Sequence, residues 1–284
     1  MKLLVTGGLG FIGSNFILKL LNETNEFDII NVDAELYGAN QKNLDSIKNH
    51  KKYEFVKGNI TNKRLMEELI SKCDAVVNFA AESFVDRSIN NADPFLVSNI
   101  RGAFTILDII TKQKKRMIQI STDEVFGSLS TGTADEQTKF NPSSPYAATK
   151  AAAELLINSF SVTYNPDVVI TRCTNNYGPR QFPEKLIPKT IILAKQGKNI
   201  PIYGNGKNLR DWIFVEEHCD AVYEILMNGK SGQTYNISAN NEINNLEIVN
   251  KILEIMGKSS DLIEFVEDRP GHDQRYSLDS SKIK

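Results

Sequence analysis

The alternation of short apolar runs with helical patterns over residues 1–174 is the feature that most restricts the fold of this chain. Buried strands that alternate with helices are joined by right-handed crossovers and therefore pair in parallel. The sequence thus predicts an α/β fold with a doubly wound, parallel, Rossmann-type sheet. The predicted strands are residues 2–6, 29–32, 53–56, 75–79, 117–121 and 168–172, and the predicted helices are 11–21, 63–71, 94–112 and 144–164.

The pattern changes after about residue 174. Residues 176–188 are rich in Pro, Gly and polar side chains, which is typical of a loop. We therefore predict a sheet domain over residues 1–174 and a smaller C-terminal lobe over 175–284, interleaved with the sheet. The lobe is predicted to contain helices 187–196, 216–227 and 246–256 and strands 200–203, 212–215 and 234–237.

Composition excludes several classes of protein. With 33 Lys and Arg against 35 Asp and Glu, the net charge is −2, and such a chain has no general attraction for nucleic acid or anionic lipid. No apolar run approaches the ~18 residues of a membrane span, and the apolar N-terminal run is too short for a signal peptide. The three cysteines, Cys73, Cys173 and Cys219, show no CxxC spacing and indicate a reducing, cytoplasmic compartment. The three histidines are too scattered to suggest a metal site.

A glycine-rich turn, GGLGFIG at residues 7–13, joins the first predicted strand to the first helix. Such a turn lets backbone N–H groups approach a pyrophosphate, and the helix N-terminus adds partial positive charge. Asp33 ends the second strand, 20 residues past Gly13, where a carboxylate would bind a ribose 2′-hydroxyl. That carboxylate would repel a 2′-phosphate, and residues 34–37 contain no Arg to neutralise one. The turn and Asp33 together predict a dinucleotide site that prefers NAD to NADP.

A second pair of residues points to chemistry. Tyr146 and Lys150 are four apart, which places them on one face of a helix. A nearby ammonium favours tyrosinate, so a phenol with a pKa of ~10 can act as a base nearer neutrality. YxxxK also occurs by chance on helix surfaces, but here it follows a glycine-rich strand unit and the strand end Ser121-Thr122. We therefore predict a catalytic Tyr–Lys pair.

The chain resembles the extended short-chain dehydrogenases/reductases, and the block TDEVFG at 122–127 narrows this to the nucleoside-diphosphate-glucose 4,6-dehydratases. Within that family it is most similar to the branch acting on dTDP-glucose. The resemblance runs from residue 1 to the end. It is carried further by FAAESFVDRS at 79–88, NNYGP at 175–179, FPEKLIP at 182–188, RDW at 210–212 and DRPGHD at 268–273.

The resemblance implies a reaction and its residues. Tyr146, assisted by Lys150 and Thr122, would take the proton of the sugar 4-hydroxyl while hydride passes from C4 to NAD. Epimerases of this superfamily need no more than this, whereas a dehydratase must also remove the C5 proton and expel the C6 hydroxyl. Adjacent carboxyls at a strand end can supply both a base and an acid. By resemblance Glu124 is the C5 base and Asp123 the acid, and the hydride then returns to C6 to give a 4-keto-6-deoxy sugar.

The resemblance also assigns binding roles, with residues 1–174 as the NAD-binding domain and 175–284 as the substrate-binding lobe. It implies a homodimer built from helices 94–112 and 144–164, and no metal. The implied cofactor residues are Gly7, Gly10, Phe11, Ile12, Gly13, Asp33, Asn59, Ile60, Ala80, Ala81, Ser98, Tyr146, Lys150 and Asn176. The implied substrate residues are Ser83, Thr122, Asn175, Lys185, Leu186, Arg210, Asn245 and Arg269.

Three positions depart from the usual family pattern: Phe84 replaces a His, Asn59 an Asp and Phe126 a Tyr. Asn59 is explained equally well as a turn residue or as a contact to adenine through its remaining acceptor. The chain also stops at Lys284, where the family usually continues, so either a compact or a shortened protein is expected. Three other functions stay open: a 4-epimerase of the same superfamily, a dehydratase of UDP-, GDP- or CDP-glucose of the same superfamily, and a non-enzymatic NAD-binding regulator. The Asp123-Glu124 pair argues against the epimerase, and the complete set of reactive side chains argues against the regulator.

Overall fold

The computed structural model describes residues 1–24 and 26–283, and in them twelve strands alternate with helices. The strands are β1 (Lys2–Thr6), β2 (Asp28–Asp33), β3 (Tyr53–Lys57), β4 (Ala75–Asn78), β5 (Arg116–Thr122), β6 (Val168–Cys173), β7 (Asn175–Tyr177), β8 (Ile200–Tyr203), β9 (Leu209–Phe214), β10 (Thr234–Ile237), β11 (Glu242–Asn244) and β12 (Ile263–Val266). The helices are α1 (Phe11–Glu23), α2 (Lys63–Ser71), α3 (Val85–Asn90), α4 (Asp93–Phe95), α5 (Ala103–Gln113), α6 (Pro145–Tyr164), α7 (Leu186–Gln196), α8 (Val215–Asn228) and α9 (Asn245–Ile255). Short 3-10 turns lie at Gln41–Ile47, Asp123–Phe126 and Ser260–Leu262.

Within those described ranges, seven strands form one parallel sheet in the order β10-β6-β5-β4-β1-β2-β3. The chain first builds outward from β1 to β3 and then returns through β4 to build in the other direction. The strand order therefore reverses beside β1, and in such sheets the crevice at the carboxyl ends of the strands is the usual ligand site. This sheet confirms the predicted fold class.

Apolar side chains from both faces of the sheet form the core. Successive strand residues point to opposite faces, so Leu3 and Val5 pack with α1 on one side while Leu4 packs with α2 and α5 on the other. Phe16 on the first side and Met66 on the second are fully buried. Burying a large apolar side chain contributes about 1.5–3 kcal/mol, so these two layers hold the strand ends in fixed positions.

The predicted single helix 94–112 is interrupted in the structure. A π-helical segment, Leu96–Gly102, separates α4 from α5. The wider helical turn directs the Asn99 side chain inward. Its amide oxygen accepts the N–H of Glu82, and its amide nitrogen donates to the Glu82 carbonyl and, at 2.9 Å, to the Thr149 hydroxyl. Such π-segments are rare and occur mostly at functional sites, and apolar periodicity gave no sign of this one.

The strands after residue 174 divide between the central sheet and two smaller sheets. Strand β10 returns to pair with β6, whereas β11, β9 and β7 form a small separate sheet and β12 pairs with β8. Helices α7 and α9 pack over this part around a small apolar cluster that includes Ile202 and Leu253. The division at residue 174 stays a prediction, and the expectation about the chain end at Lys284 lies outside the described residues. In the described part of the chain, no helix has the length and apolar character needed to cross a membrane.

Candidate active site

A cleft of about 300 Å³ opens at the carboxyl ends of the central strands, at the point where the strand order reverses. It contains every residue for which the sequence predicts a cofactor role. These are Gly7, Gly10, Phe11, Ile12, Gly13, Asp33, Asn59, Ile60, Ala80, Ala81, Ser98, Tyr146, Lys150 and Asn176.

The glycine-rich turn is held in a form that only glycine fits. Gly7 has φ +69°, and the backbone N–H of Gly10 donates to its carbonyl at 3.1 Å. A Cβ on Gly13 would lie 2.6 Å from the same Gly7 carbonyl oxygen. The turn therefore brings bare backbone and the start of α1 to the cleft, which is the arrangement that receives a pyrophosphate.

Asp33, at the end of β2, accepts a hydrogen bond from this turn. Its carboxylate accepts the N–H of Leu9 at 3.0 Å and the N–H of Glu35 at 2.8 Å. Burial raises the pKa of Asp33, and these two donors oppose the rise. A carboxylate has about four acceptor sites, so two remain for hydroxyl donors of a ligand in the cleft.

Asn59 is engaged within its own loop. Its side-chain oxygen accepts both the N–H and the hydroxyl of Thr61, at 2.9 and 2.8 Å. The acceptor that could have reached an adenine amino group is therefore used in a turn, and the amide N–H groups are what this side chain offers to the cleft.

Tyr146 and Lys150 lie on the first turns of α6. The helix begins at Pro145 and is capped by Ser144, whose hydroxyl accepts the N–H of Ala147 at 3.1 Å. Both side chains are buried and line the cleft. Lys150 Nζ donates to the carbonyl of Ile120 at 2.6 Å, so α6 is tied to β5 directly below the reactive groups.

The protonation of this pair differs from the expectation drawn from the sequence. Burial raises the pKa of Tyr146 well above its usual value, and a hydrogen bond with Thr122 only partly opposes this rise. Burial also lowers the pKa of Lys150 to about 8. Because a water-poor cleft disfavours both the phenolate and the ammonium, the protein groups alone keep Tyr146 protonated.

Asp123 and Glu124 follow β5 in the 3-10 turn that Thr122 caps, and all three line the cleft. Asp123 is 4% exposed; its Oδ1 accepts the Thr122 hydroxyl at 3.2 Å, and its Oδ2 has no hydrogen-bond partner. Burial and the neighbouring Glu124 raise the pKa of Asp123 to about 8. Burial also raises the pKa of Glu124, but Arg269, Lys185 and Arg210 oppose that rise. The two adjacent carboxyls are therefore unequal, with Asp123 favouring the protonated form.

A second cavity of about 210 Å³ adjoins the first and shares Phe84, Glu124, Asn175 and Lys185 with it. Its basic side chains converge on Glu124 and suit an anionic ligand. The sequence-predicted substrate residues Asn175, Lys185, Leu186, Arg210 and Arg269 line this cavity, and Ser83 and Thr122 line the first. Asn245 lines neither cavity; it lies at the start of α9, where its backbone N–H donates to Asn208.

An aromatic cluster lies at the junction of the two cavities, and no pattern in the sequence predicts it. The rings of Tyr37, Phe84 and Phe182 lie 5.0–5.3 Å apart, and Lys185 Nζ lies 4.5 Å above Phe84. Phe84 was noted only as a departure from the family pattern. The three rings come from three separate loops, so no local pattern could have predicted their contact.

A buried ion pair beneath the site was also missed. Arg172 of β6 pairs with Glu154 of α6 at 2.7 Å, with 3% and 0% of the two side chains exposed. Glu154 also accepts the hydroxyl of Ser121. The pair joins the helix that carries Tyr146 to strands β5 and β6, and removing one partner of such a pair is strongly destabilising. An Arg within an apolar strand was the available signal.

Comparisons with known proteins agree with this geometry. The profile of the GDP-mannose 4,6 dehydratase family matches residues 4–284. The low-salt glycan biosynthesis protein Agl12 of Haloferax volcanii is 47% identical, over 100% of this chain and 92% of that protein. A dTDP-glucose 4,6-dehydratase of Streptomyces niveus is 43% identical, over 100% of this chain and 86% of that protein. The crystal structure of DesIV, a dTDP-glucose 4,6-dehydratase of Streptomyces venezuelae solved with NAD bound, superposes with a TM-score of 0.97 at 41% identity, over 100% of this chain and 89% of DesIV.

Proposed function

Since the chain belongs to the GDP-mannose 4,6 dehydratase family, we propose as its function the conversion of dTDP-glucose to a 4-keto-6-deoxy sugar with loss of water. It is an NAD-dependent hydro-lyase acting on nucleotide sugars. Relatives named dTDP-glucose 4,6-dehydratase match it over its full length at 42–45% identity. The observation that carries the proposal is the unequal pair Asp123 and Glu124, placed beside Tyr146 in one cleft, because a 4-epimerase has no need of a second acid and base.

The residues of the cleft fit NAD. A Cβ on Gly13 would collide with the Gly7 carbonyl oxygen, so the turn needs glycine there. Asp33 keeps free acceptors for a ribose hydroxyl. When bound, NAD would supply the acceptor and donor of hydride, and its positive charge would favour the ionised form of Tyr146 that can accept a proton. The Gly7–Gly13 backbone would hold the pyrophosphate, and Ser98 and Asn176, which also line the cleft, would contact the cofactor.

The protein groups then divide the proton transfers. Tyr146 would accept the proton of the 4-hydroxyl, with Thr122 orienting the phenol by its hydrogen bond. Glu124, surrounded by basic side chains that favour its ionised form, would remove the C5 proton. Asp123, protonated and with a free oxygen, would deliver a proton to the leaving C6 hydroxyl. Lys185, Arg210 and Arg269 would hold the diphosphate.

The test is product analysis on a panel of dTDP-, UDP-, GDP- and CDP-glucose, with nucleotide content measured on the purified protein. We expect bound NAD and no NADP, since Asp33 disfavours a 2′-phosphate. We also expect the alkali-induced ultraviolet absorbance of a 4-keto-6-deoxy sugar, strongest with dTDP-glucose. A 4-epimer as the product would show that the epimerase alternative is correct, and nucleotide binding without turnover would favour a regulator.

The pH dependence follows from Asp123. Its pKa is raised to about 8, so the proton that it must donate is present at neutral pH and is lost as the pH rises through about 8. We expect kcat/KM, which reports the free enzyme, to fall on the alkaline side of this value. Lys150 has a pKa in the same range. Any alkaline fall in kcat/KM that persists in Asp123→Asn therefore reports the titration of Lys150. A profile that stays flat well above pH 8 would contradict the assignment.

We further propose a homodimer that forms through the outer face of the π-segment, α5 and α6. Exposed apolar side chains are concentrated there, among them Phe104, Leu155 and Val162, the last of them 90% exposed. Contiguous exposed apolar surface of this kind marks an interaction site.

The proposed compartment is the cytoplasm, where the buried free thiols of Cys73, Cys173 and Cys219 persist.

Light scattering tests the dimer. We expect a mass of about 64 kDa, twice the 31.8 kDa of one chain. Leu155→Asp should shift the mass to that of one chain, because it places a charge in the middle of the apolar face. The control is Ile255→Asp, at an even more exposed apolar position on α9, which should leave the dimer intact. A wild-type mass near 32 kDa at working concentration would refute the proposal.

A further inference from the structure

His218 lies outside the cleft but contacts a residue that lines it. The side chain, on α8, is fully buried, and its Nδ1 lies 2.8 Å from Oδ1 of Asn176. Asn176 belongs to β7 and lines the cleft. Nothing in the sequence distinguished His218 from the other two histidines, and the mechanism above makes no use of it.

The hydrogen-bond partners of Asn176 fix the orientation of its amide. Nδ2 donates to the backbone carbonyl of Thr174 at 3.0 Å, and a carbonyl can only accept. The atom facing His218 is therefore the oxygen, Oδ1, which also can only accept. His218 Nδ1 must then carry the hydrogen, so this tautomer is dictated by the neighbouring groups.

The surroundings of His218 keep the ring neutral. Its Nε2 is buried without a hydrogen-bond partner, and burial alone lowers the pKa of the ring to about 4. A protonated ring would place an unpaired charge in the core. At neutral pH His218 is thus a fixed single donor aimed at Asn176.

The consequence appears on the cleft side of Asn176. With Oδ1 held by His218 and one amide hydrogen on Thr174, the second amide hydrogen is left for a weak acceptor, the sulfur of Cys173 in the cleft wall. A stronger ligand acceptor can therefore take this hydrogen. The backbone at Asn176 is also fixed, because Gln181 Nε2 donates to its carbonyl at 2.9 Å.

We propose that His218 is a positioning residue for the cofactor: its Nδ1–H locks the Asn176 amide so that an N–H donor faces NAD in the cleft. The inference rests on the proposed function for the presence of NAD. It assigns a role in holding the cofactor to α8, which contributes no residue to the cleft among those described.

The test measures exchange of bound NAD with labelled NAD in the holoenzyme. His218→Leu removes the donor and frees the amide to flip, so we expect exchange about 10-fold faster, the usual effect of leaving a buried polar group unpaired. Asn176→Ala should show a similar increase. The double variant should exchange no faster than the faster single variant, since both changes remove one interaction. His218→Asn, whose amide nitrogen can take the place of Nδ1, should restore slow exchange.

A control separates positioning from general loosening of α8. Val222→Ala removes a fully buried side chain from the same helix without touching Asn176. It should lower the melting temperature and leave NAD exchange unchanged. Additive effects in the double variant, failure of His218→Asn to restore slow exchange, or equally fast exchange in Val222→Ala would each overturn the inference. Wild-type protein that holds no NAD would overturn the proposed function itself, and with it this inference.

Discussion

Tyr146→Phe should lower turnover of dTDP-glucose by about 10²–10⁴-fold, the usual effect of removing a general base. The substitution deletes only the hydroxyl that would accept the 4-hydroxyl proton. The ring would keep its place, since it packs edge-on against Phe95 with centroids 6.3 Å apart. Without that acceptor the first oxidation should slow by the same factor, so reduced cofactor should appear correspondingly slowly on addition of substrate.

The matched control is Tyr223→Phe. Tyr223 lies on α8, packs edge-on against Phe27 and lines neither cavity, so the same loss of a hydroxyl there should leave turnover unchanged. Bound NAD and the melting temperature should match the wild type in both variants. Turnover in Tyr146→Phe within a few-fold of the wild type would exclude Tyr146 as the base, because general bases contribute far more than that.

The protonation of Tyr146 explains why this substitution is informative. The sequence placed Tyr146 and Lys150 on one helix face and predicted that the lysine lowers the pKa of the phenol. In the structure, burial is the largest influence on the pKa of Tyr146 and raises it, and Lys150 Nζ donates a hydrogen bond to the Ile120 carbonyl. Spacing along a helix determines which residues share a face, but burial depends on the strands and loops packed around them.

The fold was more accessible to prediction than the site. Alternation of apolar runs and helices repeats over many residues, and the seven-stranded sheet in the described residues follows from it. The glycine turn and Asp33 were also predictable. The turn requires glycine, and the number of residues from the turn to the end of the next strand is restricted. By contrast, the π-segment at Leu96–Gly102 leaves no trace in the apolar periodicity.

Contacts between distant loops account for the rest. The ring of Phe84 meets Tyr37 and Phe182 from two other loops, and His218 reaches Asn176 across 42 residues of sequence. Each of these contacts joins segments that lie far apart in the sequence. Local patterns contain no information about such contacts, so these residues are recognised only in the folded chain.

The two carboxyls after β5 should fail in different ways when each is replaced by its amide. Burial raises the pKa of both carboxyls, but Arg269, Lys185 and Arg210 oppose this rise at Glu124, whereas the charge of Glu124 adds to it at Asp123. The sequence shows only two neighbouring carboxyls, and the structure supplies a physical reason for unequal roles. An ionised group suits proton removal at C5, and a protonated one suits proton delivery to the C6 oxygen.

Exchange of the C5 hydrogen with solvent deuterium separates these roles. In Glu124→Gln we expect C5 exchange to fall by about 10²–10⁴-fold while oxidation at C4, which needs Tyr146, still reduces the cofactor. In Asp123→Asn we expect C5 exchange to stay closer to the wild-type rate while loss of water slows by a similar factor, because an amide is a far poorer proton donor. Glu254→Gln, at an exposed carboxyl on α9, is the control and should change neither rate. Equal loss of C5 exchange in both active-site variants would mean that the two carboxyls act as one unit, and the separate roles assigned to them would be wrong.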